Sequence, residues 1–164
     1  MRNFKNVCGS LAVVIAFASP ALAVDLVPWG ESGPWKILRD PNHGNGCLVE
    51  TALSDGSYLR IGFDKKGDGK GYISSFNPAW TAIKEDKKYD VAVKFADQSF
   101  VGEGRGGKLG DLPGIIVAAN NLDLLVELAK ADSVNLSADG GDGLTIALKG
   151  SYEAIQQALV CQAE

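Results

Sequence analysis

The sequence predicts an α+β domain: a mostly antiparallel sheet of about seven to nine strands with two amphipathic helices, one of them at the C-terminus. Three observations carry this. Apolar and polar residues alternate in segment after segment, short turn signals separate those segments, and only two stretches switch to a helical period. Strands with one wet face and short connections pair antiparallel, because parallel neighbours need long crossovers.

The chain opens with "MRNFKNVCGSLAVVIAFASPALA", in which Arg2 and Lys5 precede an apolar run from Leu11, then Pro20 and the small-residue end Ala21, Leu22, Ala23. That order is the pattern of a secretory signal peptide. The run is shorter than the roughly 20 residues a membrane span takes, and no later segment is a candidate, so no membrane insertion of the mature chain is expected. A lipoprotein cysteine would follow the apolar run, whereas Cys8 precedes it. The expectation is cleavage after Ala23, a mature chain starting at Val24, and a periplasmic or secreted location. Residues 24–34, "VDLVPWGESGP", are rich in Pro and Gly and read as a lead-in arm. Residues 35–164 read as a single domain, with enough apolar side chains for one core.

From Trp35 the period is two. "CLVETAL" puts Cys47, Val49, Thr51 and Leu53 on one face, "YLRIGFD" does so with Leu59, Ile61 and Phe63, and "YDVAVKF" with Tyr89, Val91, Val93 and Phe95. "SVNLSA" (Val134, Leu136, Ala138) and "LTIALK" (Leu144, Ile146, Leu148) repeat the pattern. "SDGS", "KKGDGKG", "KEDKK" and "ADGGDG" supply the turns. In "NNLDLLVELAKA", Leu122, Leu125, Val126 and Ala129 recur at helical spacing and predict a helix over 121–131, capped by Asn120 or Asn121. The closing "GSYEAIQQALVCQAE" predicts a second helix over 151–162. Ser151 is its expected N-cap, and Glu153 lies in the first turn, where the helix dipole favours an anion.

Cleavage of the leader removes Cys8 and leaves Cys47 and Cys161, an even pair in an oxidising compartment, which reads as one disulfide; two buried free thiols are the alternative. Cys161 lies at the edge of the apolar stripe of the last helix and Cys47 opens a strand on its apolar side. The bond therefore staples the end of the chain to an early strand. Two cysteines and the lone His43 fall short of four good metal ligands, so no metal is expected. The leader also holds two of the 16 basic residues and none of the 20 acidic ones, so the mature chain carries 14 against 20, a formal charge of −6. Basic residues form no stripe, which argues against a nucleic-acid partner or an anionic membrane surface.

The order helix, strand, Gly-rich hairpin, strand, helix in "LLVELAKADSVNLSADGGDGLTIALKGSYEAIQQAL", with its "LKGSYEAI" step into the last helix, resembles the C-terminal part of the invasion-associated locus B family. Those are small exported proteins of Gram-negative bacteria, many of them alphaproteobacterial. The resemblance implies a periplasmic location and a sheet-plus-helix fold, and brings no catalytic residue with it. It covers about the last quarter of the chain; the middle region and the single cysteine pair depart from the family's pattern.

Candidate chemistry is sparse. "GEGRGGKL" spells the glycine and lysine spacing of a phosphate-cradling loop, but Leu109 stands where Ser or Thr would hold magnesium. Helix-breaking Gly110, Pro113 and Gly114 follow, so the stretch reads as a mobile Gly-rich loop. His43 lies four residues before Cys47, a spacing that suits a Cys-His pair, yet a disulfide removes the nucleophile and the neighbours are turn residues. No G-x-S-x-G is present. Glu50, Asp55, Asp64, Glu85 and Asp97 could converge as a hydrolase pair, though most flank turns or a wet face. "DKKGDGKG" and "ADGGDG" lack the closing glutamate of a calcium loop. No cofactor is expected.

Trp29, Trp35 and Trp80 suit either the core or an interface. If a contact surface exists, "SFNPAWT" and "GEGRGGKLGDLPG" are its first candidates, with Trp80, Arg105 and Lys108 as its residues. The sequence thus points to a non-catalytic exported binding or interaction protein with an unknown protein partner in the envelope or a host, an inhibitor being one form of this. A small-ligand carrier is the alternative, and a carboxylate-based hydrolase ranks behind it.

Overall fold

The computed structural model describes residues 25–64, 69–139 and 143–164. The expected leader and its cleavage site lie outside them, as do Lys65 to Asp68 of one predicted turn and Gly140 to Asp142 of another. Ten strands build one sheet: β1 (Val27–Ser32), β2 (Trp35–Asp40), β3 (Gly46–Ala52), β4 (Tyr58–Phe63), β5 (Gly71–Phe76), β6 (Lys88–Phe95), β7 (Gln98–Leu109), β8 (Leu112–Ala119), β9 (Ser133–Ala138) and β10 (Leu144–Ala147). Their spatial order is β1-β2-β3-β4-β5-β8-β7-β6-β9-β10. Every pairing is antiparallel. Two helices complete the fold, α1 (Leu122–Ala129) and α2 (Ser151–Ala163). The class is the predicted α+β, with slightly more strands than expected.

The additional strands come from two places. Val27–Ser32, within the segment read as a lead-in arm, form edge strand β1. Pro28 and Gly30 sit at a register shift there, and an edge tolerates the missing N–H of proline. The Gly-rich "GEGRGGKL" is not a mobile loop but part of β7, a strand of 12 residues. Gly102 has open space beside it, but the other three glycines answer to close packing. A Cβ on Gly104 would collide with Val91, and one on Gly106 with the carbonyl of Lys84.

The alternation predicted for the core face holds. One row crosses the sheet through Ile37, Val49, Ile61, Ile73, Val117, Gly104 and Tyr89. On this face Leu125 and Leu128 of α1 and Ala154, Ile155 and Ala158 of α2 join the buried cluster. Trp35 is buried in this cluster and its Nε1 donates to the carbonyl of Lys149 at 3.0 Å, which anchors the approach to α2. Asn121 caps α1, its side-chain oxygen accepting from the backbone of Asp123 at 2.8 Å.

Ser151 is not the cap of α2. Gly150 is, with φ of 80°, a left-handed conformation that glycine adopts without strain. The buried Ser151 hydroxyl faces the carbonyls of Ala129 (2.7 Å) and Leu148 (2.6 Å), so it joins the two helices.

Cys47 and Cys161 are bonded, with Cα atoms 6.1 Å apart and a sequence separation of 114. The backbone N–H of Cys47 donates to Gln162 at 2.7 Å, and Arg39 donates to Glu164 at 3.1 Å. Arg39 also donates to the carbonyl of Cys161 at 3.5 Å, so the end of α2 is fixed to β2 and β3 by a covalent bond and three polar contacts.

Candidate functional site

The residues named for a contact surface lie in the segment joining β5 to β6 and in the β7-β8 hairpin. These two parts touch. Asp86 N–H donates to the carbonyl of Gly106 at 2.9 Å and Gly106 N–H donates to that of Lys87 at 2.8 Å. Side chains repeat the contact: Lys108 reaches Glu85 at 3.3 Å and Arg105 reaches Asp86 at 3.6 Å, all four largely solvated. Such exposed pairs contribute little stability. The backbone pairing is what holds the segment against β7. Trp80 is half-buried against the core, and its N–H closes a turn onto Asn77 at 3.1 Å. Replacing Gly106 by Ala should drive a Cβ into the Lys84 carbonyl, cost about 1–3 kcal/mol as overpacking, and free residues 84–87 from β7; faster amide exchange at Asp86 would report it.

A second site was not anticipated. It lies on the sheet face opposite the helices, where a wet surface was expected. Leu38, Leu48 and Phe76 are buried on that face yet stand outside the cluster that contains the helices. Glu50 and Arg60 lie directly opposite each other in the β3-β4 ladder, and the guanidinium engages the Glu50 carboxylate at 2.6 Å. Their side chains are only 11% and 17% exposed. Phe76 lies under the guanidinium, 5.8 Å from ring centre to its carbon. Next along the face is Tyr72, whose ring fills the space a side chain on Gly62 would occupy. Burial, with the charges of Asp40 and Glu50 adding and Arg60 opposing, pushes its hydroxyl up to about 12, so it stays neutral across physiological pH.

At the end of β2 a short 3₁₀ turn, Pro41–His43, swings His43 back over this face. Its Nδ1 lies 2.7 Å from Asp40 Oδ2, and its ring is 6.1 Å from that of Tyr72. His43 is largely exposed, as its turn neighbours imply, and its partner is Asp40 and not Cys47. The signal that could have found the pair is the i, i+3 spacing of Asp40 and His43 around Pro41. Beside them opens a cavity of about 400 Å³ lined by His43, Asp64, Lys70, Tyr72, Ala118 and Asn120.

The carboxylates weighed as a hydrolase set are scattered. Glu50 is paired with Arg60, and Glu85 with Lys108. Asp55 accepts from Ser57 N–H at 2.9 Å, a bond that holds its carboxyl below the usual range. Asp64 lines the cavity and Asp97 lies in the β6-β7 turn. Among the described residues no three His, Cys, Asp or Glu side chains gather as metal ligands. No helix among those residues is long and apolar enough to cross a membrane.

No family model matches the chain, and no curated protein matches it. Among solved structures, invasion associated protein B from Bartonella henselae superposes with a TM-score of 0.56, covering 82% of this chain and 97% of that one at 14% identity. The two chains share a fold. That likeness extends the C-terminal resemblance noted in the sequence to most of the chain.

Proposed function

We propose that this chain is an exported, non-catalytic binding protein that presents a rigid surface to a protein partner in the envelope or in a host; inhibition of an enzyme there is one form this takes. One observation carries the proposal. The segment bearing Trp80 is hydrogen-bonded to the strand bearing Arg105 and Lys108, so the surface is pre-organised and little order remains to be acquired on binding. Export is supported by the buried disulfide, which oxidising compartments sustain, and by the leader pattern of residues 1–23.

The test is affinity capture from the native envelope and from host-cell extract with tagged mature protein, run beside an R105E/K108E variant of equal melting temperature. A protein retained by the wild type and lost by the variant supports the surface. Equal recovery by both, or no specific recovery from either source, counts against it.

A small-ligand carrier is the second reading, favoured by the cavity beside His43. The apolar crevice near Phe100 and Leu124 measures about 120 Å³. That is well under the roughly 300 Å³ at which ligand pockets begin, so of these two the His43 cavity is the better candidate for a ligand.

A further inference from the structure

We propose that the cavity beside His43 is a saccharide site that seats one pyranose unit, an inference that rests on the second reading above and is independent of the Trp80 surface. Four features of the cavity select this ligand class.

The first is its wall. Tyr72 is packed over Gly62, where any side chain would displace it, and its aromatic side chain forms part of the cavity lining. The electron-rich face of a ring attracts the polarised C–H groups on one side of a pyranose.

The second is its mixture of polar groups. Lys70 brings a donor, Asp64 an acceptor and the Asn120 amide both. With Nδ1 engaged by Asp40, the Nε2 of His43 is the ring nitrogen left to hydrogen-bond a hydroxyl, which can take either role. A sugar hydroxyl donates and accepts at once, so it can meet each of these. Asp64 and Lys70 also interact within the protein, and a carboxylate with four lone-pair sites and an ammonium with three protons can make more than one bond.

The third is charge. Asp64 and Lys70 oppose each other, and the Asp40 carboxylate faces the His43 ring. A phosphate would meet both carboxylates and a polyamine would meet the ammonium, whereas an uncharged polyol meets neither penalty. The fourth is shape. A cavity of about 400 Å³ open to solvent has room for one ring while the rest of a glycan stays outside.

Saturation-transfer NMR on the mature chain, residues 24–164, tests this with N-acetylglucosamine, an N-acetylmuramyl disaccharide whose lactyl carboxyl is capped as the neutral amide, lactose and maltose, each at about 1 mM. Methyl phosphate and spermidine serve as the anionic and cationic controls. The expected result is transfer to at least one saccharide, with ring protons on one face most affected. The titration should shift the Tyr72 and His43 ring resonances, and His43→Ala and Asn120→Ala should each weaken binding by about tenfold, the size of one lost hydrogen bond. Preference for the muramyl disaccharide would place the source in a bacterial wall and preference for lactose on a host surface. The proposal is overturned by absence of transfer to all four saccharides, by transfer that leaves the two ring resonances unmoved, or by binding of a charged control in their place. Because both ring resonances are read on the wild type, the test stands even where a variant loses stability.

Discussion

Replacing Cys47 and Cys161 together by Ala lowers the unfolding free energy by about 2–5 kcal/mol and the melting temperature by roughly 10 °C. The bond closes a ring of 114 residues, long enough for loop-closure entropy to be a large term. It acts on the unfolded chain, which loses a constraint that the folded chain does not need. The folded double variant should therefore keep the Arg39 contact to Glu164 and the Cys47 N–H contact to Gln162. Partner binding should survive wherever the variant is folded. A double variant that keeps its melting temperature yet loses binding would mean that the thiols act chemically, and would return attention to His43 as their neighbour in sequence.

Removing the Arg60 side chain by Arg60→Ala has an effect of similar size. It leaves the Glu50 carboxylate on a face where it is 11% exposed with no cation beside it. Breaking a buried pair from one side costs about 3–5 kcal/mol, and the residual exposure of both partners places the expected value at the lower end. The change also strips the guanidinium from Phe76. Removing both charges with residues of similar volume, Glu50→Gln with Arg60→Met, should recover most of the loss, because no buried charge is then left without its partner. Chemical denaturation of the three proteins decides the matter. Equal stabilities for the Arg60→Ala variant and the wild type would show that the pair is effectively solvated.

The core face was legible because it obeys one rule. In β6 the alternation of Tyr89, Val91, Val93 and Phe95 against Asp90, Ala92 and Lys94 records burial on one side and water on the other. Leu59, Ile61 and Phe63 in β4 and the apolar residues of both helices are buried on the same side. The opposite face was not legible, because β3 is buried on both sides: Leu48 and Glu50 are covered as well as Cys47 and Val49. A charged residue in a strand reads as solvent-facing, and only the register that sets Arg60 opposite Glu50 shows otherwise. Glycines misled in a related way. In β7 they read as loop flexibility, while Gly104 and Gly106 are there because neighbours approach too closely for a side chain. The Asp40-His43 pair escaped notice because its meaning depends on Tyr72, which is near in space and distant in sequence.

An intact-mass measurement on protein taken from the producing cell tests export and the single disulfide at once. The expected result is a single species in the periplasmic or secreted fraction that begins at Val24, two hydrogens lighter than the reduced chain and unreactive to thiol labelling until denatured and reduced. A soluble species that retains Met1, or a mature species with both thiols free, would contradict it.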